Sequence, residues 1–377
     1  NMAPLLFIFV IQAAMETLND KISSIEFRYH KQQLDPTKQY GRLLRQRTDS
    51  KGTTFPLNNF LYMDDGAFLF ATREELNEAA QTIVDHFQTF GLMIHTGTSA
   101  SKSKTEAMYF PPSLQEATGN HEPPPNIELR DEKHIPFTTS FRYLGSVIAH
   151  TLSDDLDIEA RIKRASQQMG VLKHFWECRD ADLLTKYWVY LMGPLNTVLW
   201  GSESWSMSAA NVRRLSAFHH SAIRRILGIR WKQMREERIT NQEVRQRFFQ
   251  IPKIEVFVTR RTWRYIGKVV QSTDTIPKKL LGAWVPHPRK VGQPQLSCKQ
   301  HFAKTIQSVL PELKPEGEFK QWFPIALDQA SWENAIESYI SDARNDLSDD
   351  IELINSENDG TTDNITIVAT TVTHAEP

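Results

Sequence analysis

Cysteine is nearly absent: the 377 residues hold two, Cys178 and Cys298. They stand far apart, with no CxxC spacing and no Cys/His cluster, so neither a zinc module nor a disulfide framework is expected. Reduced thiols in an intracellular setting are the expectation. Long apolar runs are missing too. The opening "NMAPLLFIFVIQAAMETL" has no basic segment ahead of it, is too short for a membrane span and is broken by Gln12. That argues against a signal peptide and against a membrane anchor, so no membrane partner is expected. The stretch reads instead as a core helix entered at Pro4, where the missing N–H costs nothing. A first residue of Asn rather than Met suggests that the natural start lies elsewhere.

Net charge is scarce as well, −1 overall, yet this value sums two opposite excesses. Residues 161–290 carry 25 Lys and Arg against 9 Asp and Glu, leaving 19 basic and 36 acidic residues for the remainder. A basic middle between acidic flanks points to a polyanion partner for the middle. Residues 346–377 lack Lys and Arg altogether and carry eight acids, which predicts a disordered acidic tail.

A hydrophobic content of 40% and a charged content of 24% suit a globular protein with buried cores. The pattern divides the chain into four regions. Residues 1–150 mix short apolar strands with amphipathic helices, an α+β pattern. "REELNEAAQTIVDHFQTFGL" is the clearest helix there, with Leu76, Ala80, Ile83, Val84, Phe87 and Phe90 on one face and Gly91 as its stop. A Pro-rich surface loop is expected over 111–126. Residues 151–235 read as helical and basic. Residues 236–345 are helical again, interrupted by a Pro/Gly/Lys loop over 284–295, and 346–377 form the tail.

One run breaks the apolar pattern. "NNFLYMDDGAFLF" (58–70) sets Asp64 and Asp65 in a strand-like stretch that should reject carboxylates. A hairpin resolves the conflict. With Gly66 at the turn, it would lift both aspartates to its tip while Leu61, Phe68 and Phe70 anchor its arms. Adjacent carboxylates at a rigid tip suit hard divalent cations, and a pair of such ions about 4 Å apart can stabilise the attacking and leaving oxygens of a phosphoryl transfer. For a bare Asp-Asp pair a solvated acidic turn is the commoner explanation.

In the basic region "SAANVRRLSAFHHSAIRRILGI" is a well-specified helix, capped by Ser208 and ended by Gly228. Leu215, Phe218, Ala222, Ile223 and Ile226 form its buried stripe. Arg213/Arg214 and Arg224/Arg225 recur close to three full turns apart, so both pairs share a face at a separation of about 16 Å. Such pairs suit a duplex backbone, with Arg230, Lys232, Arg235 and Arg238 extending the patch. Arg289 and Lys290 in "HPRKVGQPQ" are further candidates for nucleic-acid contact. His219 and His220 read as surface or packing residues of the helix.

Taken in order, "FLYMDDGAFLF", "FGLMIHT", "KSKTEAMYF" (102–110) and "FRYLGSVI" (141–148) resemble the palm of a reverse transcriptase, most closely that of non-LTR (LINE-type) retrotransposons. "LWGSESWSMSAANVRRLSAFHHSAIRRILGIRW" resembles the thumb of that family, and "RTWRYIGKVV…WVPHPRKVGQPQ" the stretch after it. The resemblance covers roughly residues 1–345. It implies a fold of partial palm (1–150), helical thumb (151–235) and helical C-terminal region (236–345). It implies RNA-directed DNA polymerase chemistry by a two-metal route, with Asp64 and Asp65 as Mg2+ ligands. Tyr62 and Met63 would lie near the primer end. Phe141, Arg142, Tyr143, Leu144 and Gly145 would form the hairpin that grips the primer. Lys104 resembles the lysine that neutralises or protonates departing pyrophosphate, although a solvent-facing strand lysine reads the same way.

The implied partners are an RNA template, a DNA primer and dNTPs, and the implied location is the nucleus and cytoplasm. The third carboxylate of that site lies, in the family, upstream of the helix with which this sequence opens. The acids before residue 58 are Glu16, Asp20, Glu26, Asp35 and Asp49, none in an apolar strand-like run. The isolated chain is therefore expected not to extend a primer. A nucleic-acid-binding remnant without catalysis is the alternative.

Overall fold

The computed structural model describes residues 2–29, 53–110, 124–273, 275–283, 306, 309–312, 319–345 and 368–372. Helix α1 (Ala3–Leu18) carries a proline in its first turn, as the sequence requires. Ile11, Ala14, Met15 and Leu18 are buried, whereas Leu5, Leu6 and Phe9 are more than half exposed. Only its second half is a core helix, because nothing described covers the first two turns.

Strands β1 (Ile25–Tyr29) and β2 (Thr53–Leu57) pair antiparallel. The expected hairpin follows as β3 (Asn59–Tyr62) and β4 (Asp65–Phe70), in register Tyr62 to Asp65. Helix α2 (Arg73–Thr89) starts where the Thr72 side chain accepts from the Glu75 N–H and ends before Gly91 at φ +71°. Its inward face buries Leu76, Ala80, Ile83 and Phe87, with Val84 and Phe90 half-buried. His86 is buried beside them: Nε2 donates to the Ala14 carbonyl at 2.9 Å and Nδ1 accepts from Lys21 Nζ at 2.9 Å. That imidazole ties α2 to α1.

β5 (Glu106–Met108), the short pair β6 (Ile127–Glu128) and β7 (His134–Ile135), and the hairpin β8 (Ser140–Tyr143) and β9 (Ser146–Ala149) complete the first 150 residues. Leu144 and Gly145 at the β8–β9 turn both have positive φ, 47° and 89°, the twist that a two-residue hairpin favours. Phe68, Phe70 and Ala107 pack with α1 and α2 in one apolar core. The opposite sheet face carries the alternate residues Asp65, Ala67 and Glu106, since side chains alternate along a strand.

β4 and β5 are not neighbours. The sheet order is β3-β4-β10-β5, where β10 is Val368–Val372 and pairs antiparallel with both flanking strands. Five residues of the tail expected to be disordered over 346–377 thus form a central strand, and the rest of the tail lies outside the described residues. "VATTV" is rich in β-branched residues, which suits a strand.

The rest is helical: α3 (Asp155–Val171), α4 (Lys173–Glu177), α5 (Leu183–Tyr190), α6 (Ala209–Leu227), α7 (Trp231–Glu236), α8 (Asn241–Arg247), α9 (Ile254–Gln271), α10 (Thr275–Gly282), α11 (Phe319–Leu327) and α12 (Gln329–Asn345). α5 passes into a π turn at Leu191–Leu195 around Pro194, whose missing N–H breaks the regular ladder. One core gathers α3 to α6 and α8 around Ile158, Tyr190, Leu215, Ile223 and Phe248. A second packs α9 against α11 and α12 through Trp263, Trp322 and Trp332. The chain is therefore an α+β protein, mostly helical, with small antiparallel hairpins. Among the described residues no helix is long and apolar enough to cross a membrane. The two expected loops lie largely (111–123 of the first) or wholly (284–295) outside the described residues.

Candidate functional site

The β3–β4 hairpin carries its aspartates at the tip, as expected, but by a different turn. Met63 and Asp64 are the turn residues, Met63 bears the positive φ of 55°, and Gly66 lies inside β4. Phe68 and Phe70 anchor the arm fully buried, whereas Leu61 is exposed and anchors nothing. Leu61 is paired with Gly66 and Tyr62 with Asp65. Tyr62 and Met63 are 57% and 66% exposed, so the tip offers an aromatic ring and a thioether beside two carboxylates.

The pKa of Asp65 is raised by burial and then by the charge of Asp64. Among the described residues no cationic side chain forms an ion pair with either aspartate. A like-charged pair held together without a counter-charge fits the donor set of a hard divalent cation.

A second hairpin follows in the same region. The Tyr143 phenol at the end of β8 has its pKa raised by burial and then by the charge of Asp65. Phe141 and Gly145 are half-buried, and Arg142 and Leu144 are exposed.

The β8–β9 turn is fixed from below by α3. Asp157, 3% exposed, accepts from the Val147 N–H at 3.0 Å and from the Trp205 indole at 3.0 Å. Arg161, 4% exposed, pairs with Asp157 at 3.4 Å, donates to the Gly145 carbonyl and lies 6.0 Å from the Trp200 ring centroid. Gly201, at φ +80°, lets the following turn come against the hairpin, where a Cβ would lie 2.7 Å from Ser146 Oγ. Next to this buried pair, Asp154 accepts from the Ser206 N–H at 2.6 Å, yet its pKa is pushed up to about 6 by burial, with further upward contributions from Asp157 and Asp155.

Lys104 is exposed and stands two residues before Glu106. β10 places Ala67 of β4 and Glu106 of β5 opposite the same residue, Thr371, so Lys104 reaches the sheet end that carries Asp65. Glu106 shares a face with Asp65, and its pKa is raised by burial. A single glutamate in "KTEAMYF" carries no signal of its own, and only the shared pairing with β10 puts it on the face of Asp65. Two strand spacings, about 10 Å, separate the backbones of Glu106 and Ala67, too far for one ion. Among the described residues no group of three metal-ligating side chains occurs.

The basic helix α6 is capped by Ser208, ended by Gly228 at φ +71° and buries all five residues of the expected stripe. Its arginines diverge. Arg213 and Arg225 are exposed, and Arg214 pairs loosely with Asp155 at 3.7 Å. Arg224 is 8% exposed, lies 4.4 Å from the Trp231 ring centroid and donates to Asn241 Oδ1 at 3.2 Å. It is a packing residue, not a surface cation, because the chain turns back at Gly228 and lays Trp231 over it. Arg230 is exposed, as is Lys232, which faces Glu236 at 3.8 Å. Arg289 and Lys290 lie outside the described residues.

Of the two readings of His219 and His220, surface or packing, the structure shows packing: both are buried. His219 Nε2 donates to the Pro252 carbonyl at 3.1 Å and Nδ1 accepts from the Tyr190 hydroxyl at 2.7 Å. Burial pushes its pKa down to about 3. No family model, curated protein or solved structure matches this chain.

Proposed function

We propose that the chain belongs to an RNA-directed DNA polymerase of the non-LTR retrotransposon type, contributing part of the palm, the thumb and the region after it. One observation supports this reading above the others: Asp64 and Asp65 stand at the tip of an antiparallel hairpin, beside the exposed side chains of Tyr62 and Met63. Lys104 stands at the same end of the sheet. A helical region carrying exposed arginines follows.

In this reading Asp64 and Asp65 would hold Mg2+, which would supply charge stabilisation for phosphoryl transfer. Tyr62 and Met63 bear on the primer end from one hairpin. Phe141 to Gly145 hold it from the other, with the turn kept rigid by Asp157 and Arg161. Lys104 offers a proton or a positive charge to departing pyrophosphate. Arg213, Arg214, Arg225, Arg230 and Lys232 neutralise duplex phosphates.

Only two carboxylates meet at the tip among the described residues, so this chain by itself is predicted not to extend a primer. The test is primer extension on an RNA template with Mg2+ and dNTPs. Extension that Asp64→Asn abolishes would show the site to be complete. The same observation favours a second reading, nucleic-acid binding without catalysis. There, hybrid-duplex binding is strongly salt-dependent and weakened by Arg213→Ala with Arg225→Ala. Absence of binding at low salt would remove both readings.

A further inference from the structure

Trp231 is 64% exposed, although an indole gains more from burial than almost any other side chain. Its orientation is nonetheless fixed. It opens α7, directly after the extended residue Arg230 (φ −90°, ψ 153°). One ring face rests over the Arg224 guanidinium at 4.4 Å, and that guanidinium is itself buried and held by Asn241 at 3.2 Å. Cation–π contact on one face leaves the other face flat and open to solvent. Residues 224–238 carry six Arg and Lys against two acids, Glu236 and Glu237. Arg225, Arg230, Arg235 and Arg238, within seven residues of Trp231 in the chain, are exposed, and Lys232 pairs with Glu236 at 3.8 Å with both side chains exposed.

A rigid aromatic plate among cations has the two parts of a single-strand binding site: a stacking surface for a base and donors for its flanking phosphates. A base inside a duplex has both faces already stacked, so such a plate selects unpaired nucleotides. A partner protein would need an acidic surface with an apolar pocket, and nothing in this stretch calls for that pocket.

We propose that Trp231 is a stacking platform for an unpaired base of single-stranded DNA or RNA, with Arg225, Arg230 and Arg235 engaging the adjacent phosphates. The proposal uses neither Asp64 nor Asp65; it shares Arg225 and Arg230 with the duplex-binding part of the polymerase reading, and Trp231 is what separates the two.

The test uses the full chain and three fluorescent probes, oligo(dT), oligo(U) and a blunt hybrid duplex, with anisotropy followed across a salt series. Trp231→Ala is expected to weaken single-strand binding about tenfold with the salt slope unchanged, as loss of one stacked base should. Trp231→Phe keeps most of the affinity, since a phenyl ring still offers a stacking face. Arg225→Ala lowers the single-strand slope by about 0.7, one phosphate. Duplex binding is unaffected by Trp231→Ala. Equal single-strand affinity for Trp231→Ala and the parent chain would overturn the proposal, as would equal losses on single strand and duplex. Duplex binding with no single-strand binding would also overturn it, while leaving the polymerase reading intact.

Discussion

Removing the charge of Asp157 should loosen the β8–β9 hairpin more than any exposed substitution near it. In Asp157→Leu the Val147 N–H and the Trp205 indole lose their acceptor, and the buried Arg161 guanidinium loses its counter-charge. Breaking a buried pair from one side costs about 3–5 kcal/mol, because the surviving charge stays desolvated. Against a total stability of roughly 5–15 kcal/mol for a domain, that is a large share. The double variant Asp157→Leu with Arg161→Leu removes both charges and should recover much of the loss. Amide exchange at Val147 reads the local opening, and urea unfolding by tryptophan emission reads the global effect. If Asp157→Leu alone melts within about 0.5 kcal/mol of the parent, or the double variant is no better than the single, the buried-pair account is wrong.

Further predictions concern other parts of the molecule. Gly267→Ala would set a Cβ 2.3 Å from the Nε1 of the buried Trp332, whose N–H donates to the Trp263 carbonyl at 2.9 Å. Overpacking of about 1–3 kcal/mol together with the strained hydrogen bond should exceed the roughly 1 kcal/mol gained in helix propensity, so urea unfolding should show net destabilisation. His219 stays neutral in the folded chain, with its pKa near 3, so the unfolded state alone takes up a proton as pH falls through about 6.5. Its share of stability should drop by about 1.6 kcal/mol between pH 6.5 and 5, read from urea midpoints. Asp154, with its pKa raised to about 6, acts in the opposite sense: the folded state binds the proton first, so stability rises as pH falls from 6 towards 4. Asp154→Asn should remove that offset and steepen the acid loss. Met63→Gly relieves a positive φ and should stabilise the hairpin by about 0.5–1 kcal/mol, seen as slower exchange at Asp65.

The elements with local signatures were legible in advance. α6 was readable because Ser208, Gly228 and a 3.6-residue stripe all agree, and α2 for the same reason. The aspartate hairpin was readable because two carboxylates in an apolar strand have few other places to go. What escaped depends on contacts between distant residues. Arg224 matches its surface neighbours in spacing, and only the reversal at Gly228 reveals that Trp231 covers it. His86 and His219 look like polar residues until the segments that satisfy them are in place. The Asp157–Arg161 pair reads as an ordinary i,i+4 surface bridge. Its burial comes from Trp200 and Trp205, some forty residues away.

The position of β10 bears on when the sheet can form. β4 and β5 touch through Val368–Val372 and not directly, so the two halves have no shared ladder until that strand is present. During synthesis the β3–β4 hairpin would emerge some three hundred residues before its central neighbour. Through that interval the outer backbone edge of β4, immediately beside Asp65, stays open to any other extended chain. The aspartate tip is thus assembled early and its sheet closed late. The segment that closes it determines which foreign strands are shut out.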